Sequence, residues 1–191
     1  MDIRSFYSDV LKITDDALLE ALLPVSTAKV IEKKQILLRE GERQDYCAFL
    51  GSGFLRGYML DKDGKEITTG FSYHGGSLPM ACGGPGTISD VTIEAITDSE
   101  LIFISAADLQ SILCKFPAAL MLYNKFLQEA LTYHCTLRKL LLQYTALQRY
   151  QWFIKTYPEL DKNFYDKHIA SFLNISPVTL SRIHKYMRDN G

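Results

Sequence analysis

Polar side chains able to contact a nucleic acid are concentrated near the C-terminus, within residues 176–187. Arg182 carries a planar guanidinium that can donate two hydrogen bonds to a guanine edge. Thr179, Ser181 and Lys185 can bind phosphate oxygens, which position a protein on a duplex without reading its sequence. The candidate contact set for double-stranded DNA consists of Ser176, Val178, Thr179, Ser181, Arg182 and Lys185.

These side chains can act together only if a helix presents them on one face. Ser176 followed by Pro177 predicts a helix start, because serine is a good N-cap and proline fits the first helical turn. A preceding helix, joined through Asn174 in a left-handed conformation, would complete a helix-turn-helix. The alternative is a plain helical hairpin. The expected inward residues are Ile169, Ala170 and Leu173 in the first helix and Leu180, Ile183 and Met187 in the second.

The distribution of charge favours a polyanionic partner for this end of the chain. The formal net charge is −1, but residues 135–191 carry nine Lys or Arg against four Asp or Glu, whereas residues 1–134 carry 12 against 18. A basic segment on an acidic body is typical of a protein that contacts nucleic acid with one part only. Solvated helices can show the same bias, so charge supports the motif and does not replace it.

A long helix is predicted immediately before the C-terminal segment. Pro117 suits a first helical turn, and neither glycine nor proline follows up to Leu142, which gives a length of about 39 Å. Apolar residues recur along it at alternating spacings of three and four, the pattern of a two-helix coiled coil, so we expect a homodimer. The alternative is that this stripe covers the core of the N-terminal domain. The stripe consists of Leu120, Tyr123, Leu127, Ala130, His134, Leu137, Leu141 and Tyr144.

The chain between about residues 28 and 105 changes to short β-rich segments separated by glycine. Asp63 and Gly64 form a pair that supplies the positive φ angles of a tight hairpin. No strand–helix alternation is seen, so the strands are expected to be antiparallel and to form a closed roll or a sandwich. The predicted strands are residues 29–32, 35–39, 46–50, 54–60, 66–73, 91–96 and 100–104.

Motifs for catalysis, metal binding and membrane insertion are lacking in the sequence. The four cysteines form no C-x-x-C pair and the four histidines no H-x-H pair, so neither zinc nor an iron–sulfur cluster has a suitable ligand set. No nucleophile elbow, P-loop or H-E-x-x-H motif occurs, which argues against an enzyme. The first 20 residues contain acidic side chains and no long apolar run, so we expect a cytoplasmic protein without a membrane segment.

Two parts of the sequence resemble the Crp/Fnr superfamily. The segment Ile-Ala-Ser-Phe-Leu-Asn-Ile-Ser-Pro-Val-Thr-Leu-Ser-Arg-Ile, residues 169–183, is similar to the DNA-binding helix pair of that family, whose Ser-Arg ending falls on Ser181 and Arg182. The N-terminal half is similar to the family's cyclic-nucleotide-binding-like β-roll. That similarity lies in Ile36-Leu-Leu-Arg-Glu-Gly41, Gly53-Phe-Leu-Arg-Gly-Tyr58, Asp63-Gly-Lys-Glu66 and Ile93-Glu-Ala-Ile96.

The resemblance implies an α+β fold and a dimeric, DNA-binding transcription regulator. The expected domains are an antiparallel β-roll sensor at residues 1–116, a dimerisation helix at 117–144 and a helix-turn-helix domain at 145–191 that lacks a full wing. Pro177 and Val178 stand where many members carry an arginine or another polar residue and then a glutamate, so the preferred operator is expected to differ. The alternative is a ligand-sensing or protein-docking module of the same fold that has lost specific DNA binding.

The same alignment argues against cyclic AMP as the effector. Where family members hold the cyclic phosphate with an arginine and a following serine or threonine, this sequence has Ser89 and Asp90. An aspartate repels a phosphate, and no fixed cation offsets it. We therefore expect no cofactor, although glycine-rich backbone can bind another effector; a surface loop without a ligand is the alternative. The candidate pocket residues are Gly75, Gly76, Ser77, Leu78, Ser89 and Asp90.

Overall fold

The computed structural model describes residues 1–73, 75–76, 84–160 and 164–190. The chain divides into two compact units. Unit 1 comprises Met1–Met59 and Thr69–Leu127, and unit 2 comprises Leu60–Thr68 and Gln128–Gly191. The tip of one hairpin, residues 60–68, therefore belongs to the same unit as the C-terminal helices.

Seven strands of the described residues lie where the alternating apolar pattern predicts them, with small shifts at their ends. They are β1 (Ser26–Ile31), β2 (Ile36–Leu38), β3 (Tyr46–Ser52), β4 (Leu55–Leu60), β5 (Glu66–Ser72), β6 (Thr92–Ala95) and β7 (Ser99–Ser105). One sheet has the order β1-β7-β3 and the other the order β2-β6-β4-β5. Ile102 of β7 lies opposite Ala28 on one side and Phe49 on the other, both antiparallel. The predicted antiparallel β-domain is confirmed.

Alternation along β3 sorts the core of unit 1 into two clusters, because successive side chains of a strand point to opposite faces. Ala48 and Leu50 pack with residues of the second sheet, such as Leu55 and Ile93. Cys47 and Phe49 point the other way and pack against the helices. Strand β3 is therefore buried on both faces.

The helices of unit 1 cover the outer face of the β1-β7-β3 sheet. Ser105 caps the helix that follows β7: its Oγ accepts a hydrogen bond from the Asp108 amide at 3.0 Å, as the N-cap pattern requires. The long helix begins at Pro117 and has 27 residues, close to the predicted length. No helix of the described residues combines the length and apolar composition needed to cross a membrane. The helices are α1 (Ile3–Ser5), a π-turn (Phe6–Val10), α2 (Asp16–Leu22), a 3₁₀ turn (Leu23–Val25), α3 (Ala106–Lys115) and α4 (Pro117–Gln143).

Unit 2 is built from the second half of α4 and three further described helices, α5 (Ala146–Thr156), α6 (Asp166–Phe172) and α7 (Pro177–Asn190). Thr145 and Gln148 form a reciprocal capping box at the start of α5. Aromatic rings fill the interior: Phe153 contacts Tyr157 and Phe172 with ring centroids 5.4 and 5.9 Å apart. This packing gives unit 2 its own core.

The hairpin between β4 and β5 turns through residues 61–65. The Asp61 amide donates to the Lys65 carbonyl at 2.9 Å, and Gly64 has a φ of +77°. Asp63 does not share the positive φ that the sequence suggested; a type I turn followed by one left-handed residue needs it only at Gly64. The Asp61 carboxylate also accepts hydrogen bonds from the amides of Asp63 and Lys65, which fixes the loop.

Candidate nucleic-acid interface

Helix α7 presents the sequence-predicted contact residues on its outer side. Leu180 and Ile183 are buried, as expected from a period of 3.6. Ser181, Arg182 and Lys185 are exposed on the opposite side. We call Ser176, Val178, Thr179, Ser181, Arg182 and Lys185 the α7 surface.

Two residues of the α7 surface, Ser176 and Thr179, also cap the start of the helix. The Ser176 Oγ accepts the Thr179 amide at 3.0 Å, and the Ser176 and Thr179 hydroxyls lie 2.8 Å apart. Thr179 is half-buried. Phosphate binding by these hydroxyls would therefore compete with helix capping, whereas Arg182 and Lys185 extend freely into solvent.

The turn between α6 and α7 has the backbone that the sequence predicts. Asn174 has a φ of +51°, in the left-handed region that asparagine tolerates. The Ile175 amide donates to the Ala170 carbonyl and the Asn174 amide to the Ser171 carbonyl, both at 3.0 Å. Ile169, Ala170 and Leu173 are fully buried, so the small side chain at 170 allows close approach of the two helices.

Arg149 of α5 stabilises this turn, and no sequence pattern predicted its role. Its Nη1 donates to the Leu173 carbonyl at 2.7 Å and lies 3.4 Å from the Asn174 carbonyl. A cation at the C-terminal end of α6 is also favoured by the helix dipole. The contact joins residues 24 positions apart, and no local motif marks it.

The charge around the α7 surface is mainly positive. Lys167 of α6 and Arg188 of α7 are exposed alongside Arg182 and Lys185, while Asp166 faces His184 at 3.8 Å. A field of this sign attracts a polyanion and raises its rate of association. Lys162, a further basic residue of this part of the chain, lies outside the described residues.

Helix α4 has two apolar faces. The residues on its exposed face are not all those of the predicted stripe. Leu120 and Leu127 are 45% and 44% exposed, and His134 is exposed too. Tyr123 instead packs against the core of unit 1, and burial raises its pKa. Leu137 and Leu141 are half-buried, whereas Leu131 is 66% exposed. At 100° per residue, Leu120, Leu127 and Leu131 lie within about 40° of one another, and these three form what we call the exposed seam.

The candidate effector residues are only partly described, because Ser77 and Leu78 lie outside the described residues. Gly75 is exposed, and the buried Gly76 donates its amide to the Leu50 carbonyl at 2.8 Å. The Ser89 hydroxyl is buried; it donates to the Val91 carbonyl at 2.6 Å and accepts the Val91 amide at 3.2 Å. Ser89 therefore stabilises its own turn, and only Asp90 of this pair is exposed.

An ion pair between the buried Arg56 and the half-buried Glu94 lies on the four-stranded sheet, and no sequence pattern predicted it. The Arg56 Nε lies 2.9 Å from a carboxylate oxygen of Glu94, its cross-strand neighbour. The Arg56 guanidinium also stacks over the Tyr58 ring at 4.3 Å, and the side chain is 1% exposed. Cross-strand partners of opposite charge stabilise a sheet, so this arginine has a structural role.

An apolar cavity of about 40 Å³ lies in unit 1 between the helices and the outer face of the β1-β7-β3 sheet. Tyr7, Cys47, Ala119 and Phe126 are among its lining residues. Burial raises the pKa of the Cys47 thiol to about 12, and burial likewise raises that of Tyr7 to about 12. An engineered apolar cavity of about 150 Å³ binds benzene, so a cavity of about 40 Å³ is too small for a nucleotide.

Comparison with known proteins agrees with this geometry. Residues 28–115 match the model of the cyclic nucleotide-binding domain family. No curated protein matches the chain in sequence.

Solved structures share the fold over nearly the whole chain. FixK2 from Bradyrhizobium japonicum is 20% identical, with 87% of this chain and 86% of that one covered and a TM-score of 0.75. A putative transcriptional regulator of the Crp/Fnr family from Eubacterium rectale is 17% identical over 97% and 88%, with a TM-score of 0.74. The c-di-GMP responsive global regulator CLP from Xanthomonas campestris is 18% identical over 93% of both chains, with a TM-score of 0.73. The chain therefore has the α+β fold of Crp/Fnr-type regulators.

Proposed function

We propose that this protein is a dimeric, DNA-binding transcription regulator of the Crp/Fnr type that acts in the cytoplasm. The observation that carries the proposal is the α7 surface: a capped helix, fixed by the turn at Asn174, that exposes Arg182 and Lys185. A helix of this kind fits the major groove, where an arginine can recognise guanine. The solved regulators of the same fold support this proposal.

The second copy of the chain would pack along the exposed seam of α4. Leu120, Leu127 and Leu131 expose apolar surface on one side of a long helix, which a parallel coiled coil would bury. Two α7 surfaces would then contact two half-sites of one duplex. Tyr123 contributes to the core of unit 1 in this arrangement and not to the seam.

Cyclic AMP is not the proposed effector. The Ser89 hydroxyl is occupied by Val91, and the neighbouring exposed residue is the acidic Asp90. This pair lacks the donors and the positive charge that a cyclic phosphate requires. Calorimetry with cyclic AMP and cyclic GMP is expected to show no saturable binding in the micromolar range; saturable binding would refute this part of the proposal.

Capture of genomic DNA fragments at a fixed, stated salt concentration tests DNA recognition. The wild-type protein should enrich a defined sequence, and Arg182→Ala should weaken binding about tenfold or more, because a bidentate arginine–guanine contact is lost. Lys155→Ala, an exposed substitution at the end of α5, is the matched control and should bind as the wild type does.

A protein-docking module is the second candidate function, and one observation favours it. Val178 is 60% exposed at the start of the α7 surface, where it offers an apolar contact in place of a hydrogen-bonding group. Absence of sequence enrichment in the capture experiment, with the Arg182→Ala variant behaving like the wild type, would favour this candidate over the regulator.

A further inference from the structure

The side chain of Ser171 joins the hairpin tip, residues 60–68, to the helix pair α6–α7. Its hydroxyl accepts a hydrogen bond from the Thr68 amide at 3.0 Å and donates one to the Glu66 carbonyl at 3.2 Å. One hydroxyl can do both, since it is a donor with acceptor lone pairs. All three residues belong to unit 2.

This contact uses the open edge of β5. Among the described strands, β5 is the last in the order β2-β6-β4-β5, and an edge strand offers its outer backbone groups to other parts of a protein. In a β-strand the carbonyl of one residue and the amide two positions later point to the same edge. Glu66 and Thr68 have this relation, and the Ser171 hydroxyl takes the place of a neighbouring strand.

Ser171 also belongs to the turn that sets the angle between α6 and α7. Its backbone carbonyl accepts the Asn174 amide at 3.0 Å, and Asn174 is the left-handed residue of that turn. A single residue therefore binds the hairpin through its side chain and closes the turn through its backbone. The α7 surface lies on the next helix and keeps Arg182 and Lys185 exposed while this contact is made.

We propose that Ser171 is a positioning residue, whose hydroxyl holds the helix pair on the hairpin tip and so pre-orients the α7 surface for its duplex. The inference rests on the proposed function. A helix pair held in one orientation loses less conformational freedom on binding than a mobile one. The contact therefore increases DNA affinity without touching DNA.

Substitution by two residues of the same shape tests this role. Ser171→Thr keeps a hydroxyl, whereas Ser171→Val replaces it with a methyl group and removes the hydrogen bonds to the Thr68 amide and the Glu66 carbonyl. We expect the valine variant to bind a duplex from the genomic capture about five- to tenfold more weakly than the wild type. The threonine variant should stay within about twofold.

Hydrogen exchange measured by NMR in the absence of DNA separates this inference from the proposed function. The Thr68 amide should be protected in the wild type and in Ser171→Thr and should exchange faster in Ser171→Val. The Asn174 and Ile175 amides should remain protected in all three, which shows that the turn is intact.

Three results would overturn the inference, and they are distinguishable. Unchanged exchange at Thr68 in the valine variant shows that the hydroxyl does not hold the hairpin. Faster exchange with unchanged DNA affinity shows that the contact does not position the α7 surface. A wild-type protein that binds no DNA refutes the proposed function and the positioning role with it, whatever Thr68 does.

Discussion

At the scale of single residues, Arg149 stabilises the turn before α7 through a hydrogen bond. It donates to the backbone at the end of α6, where carbonyls have no partner within the helix. Arg149 and Ser171 share a property that hides them from sequence reasoning. Each bonds to backbone atoms 24 or more positions away, so no local spacing or periodic pattern reports the contact.

Removal of the Arg149 side chain should destabilise unit 2. Arg149→Ala leaves the Leu173 carbonyl without this donor, and we expect a loss of about 1–3 kcal/mol in the free energy of unfolding. Trp152, the only tryptophan of the chain, lies in α5 beside Tyr157, so its fluorescence during urea unfolding reports on unit 2. Lys155→Ala on the same helix is the control. A midpoint for Arg149→Ala equal to that of the control would show that the contact contributes little.

The buried thiol of Cys47 should make the stability of unit 1 decrease at alkaline pH. Burial raises the pKa of Cys47 from 9.0 to about 12, so the unfolded chain releases this proton at lower pH than the folded chain. The contribution of the buried thiol to the free energy of unfolding should therefore be constant below about pH 9. It should decrease as the pH rises toward about 12. Urea unfolding followed by circular dichroism across this range measures the trend.

A matched pair of cysteine variants isolates the contribution of Cys47. Cys47→Ala should show a weaker dependence on pH, whereas Cys114→Ala, which removes an exposed thiol, should behave as the wild type does. Stability that stays constant or increases above about pH 9 would contradict the burial of Cys47 as the cause.

At the scale of elements, the sequence predicted those helices and strands that depend mainly on residues close together in the chain. The seven strands follow from alternating apolar residues and glycine turns, and the start of α7 follows from Ser176 and Pro177. Helix α4 was harder because both of its faces are apolar. A spacing of three and four fits either face, and only packing shows that Tyr123 points inward while Leu131 points outward.

The exposed seam of α4 should determine the oligomeric state. Leu131→Glu places a charge on the seam and should shift the protein from dimer to monomer, because a buried unpaired carboxylate is strongly unfavourable. Met121 is 73% exposed but lies about 100° around the helix from Leu120, so Met121→Glu is the matched control and should remain dimeric. Light scattering at several concentrations measures both, and a dimeric Leu131→Glu variant would exclude this seam.

At the scale of the whole molecule, each unit carries a different part of the proposed activity. Residues 28–115 match the cyclic nucleotide-binding domain family, and unit 2 carries the α7 surface. The charge bias and the two resembling segments of the sequence favour this division between the units, which stays a prediction. The sequence could not predict that the tip of a sheet hairpin folds with the C-terminal helices, because that depends on contacts distant in sequence.

The spacing of the bound sites within the captured genomic DNA tests the central claim most directly. If two copies of this chain present two α7 surfaces, protection of the captured fragments should show two inverted half-sites, about one helical turn or a whole multiple of it apart. Protection of both half-sites should be lost together in the Arg182→Ala variant. Single half-sites without fixed spacing, or protection that survives the loss of Arg182, would contradict a dimeric reader of DNA.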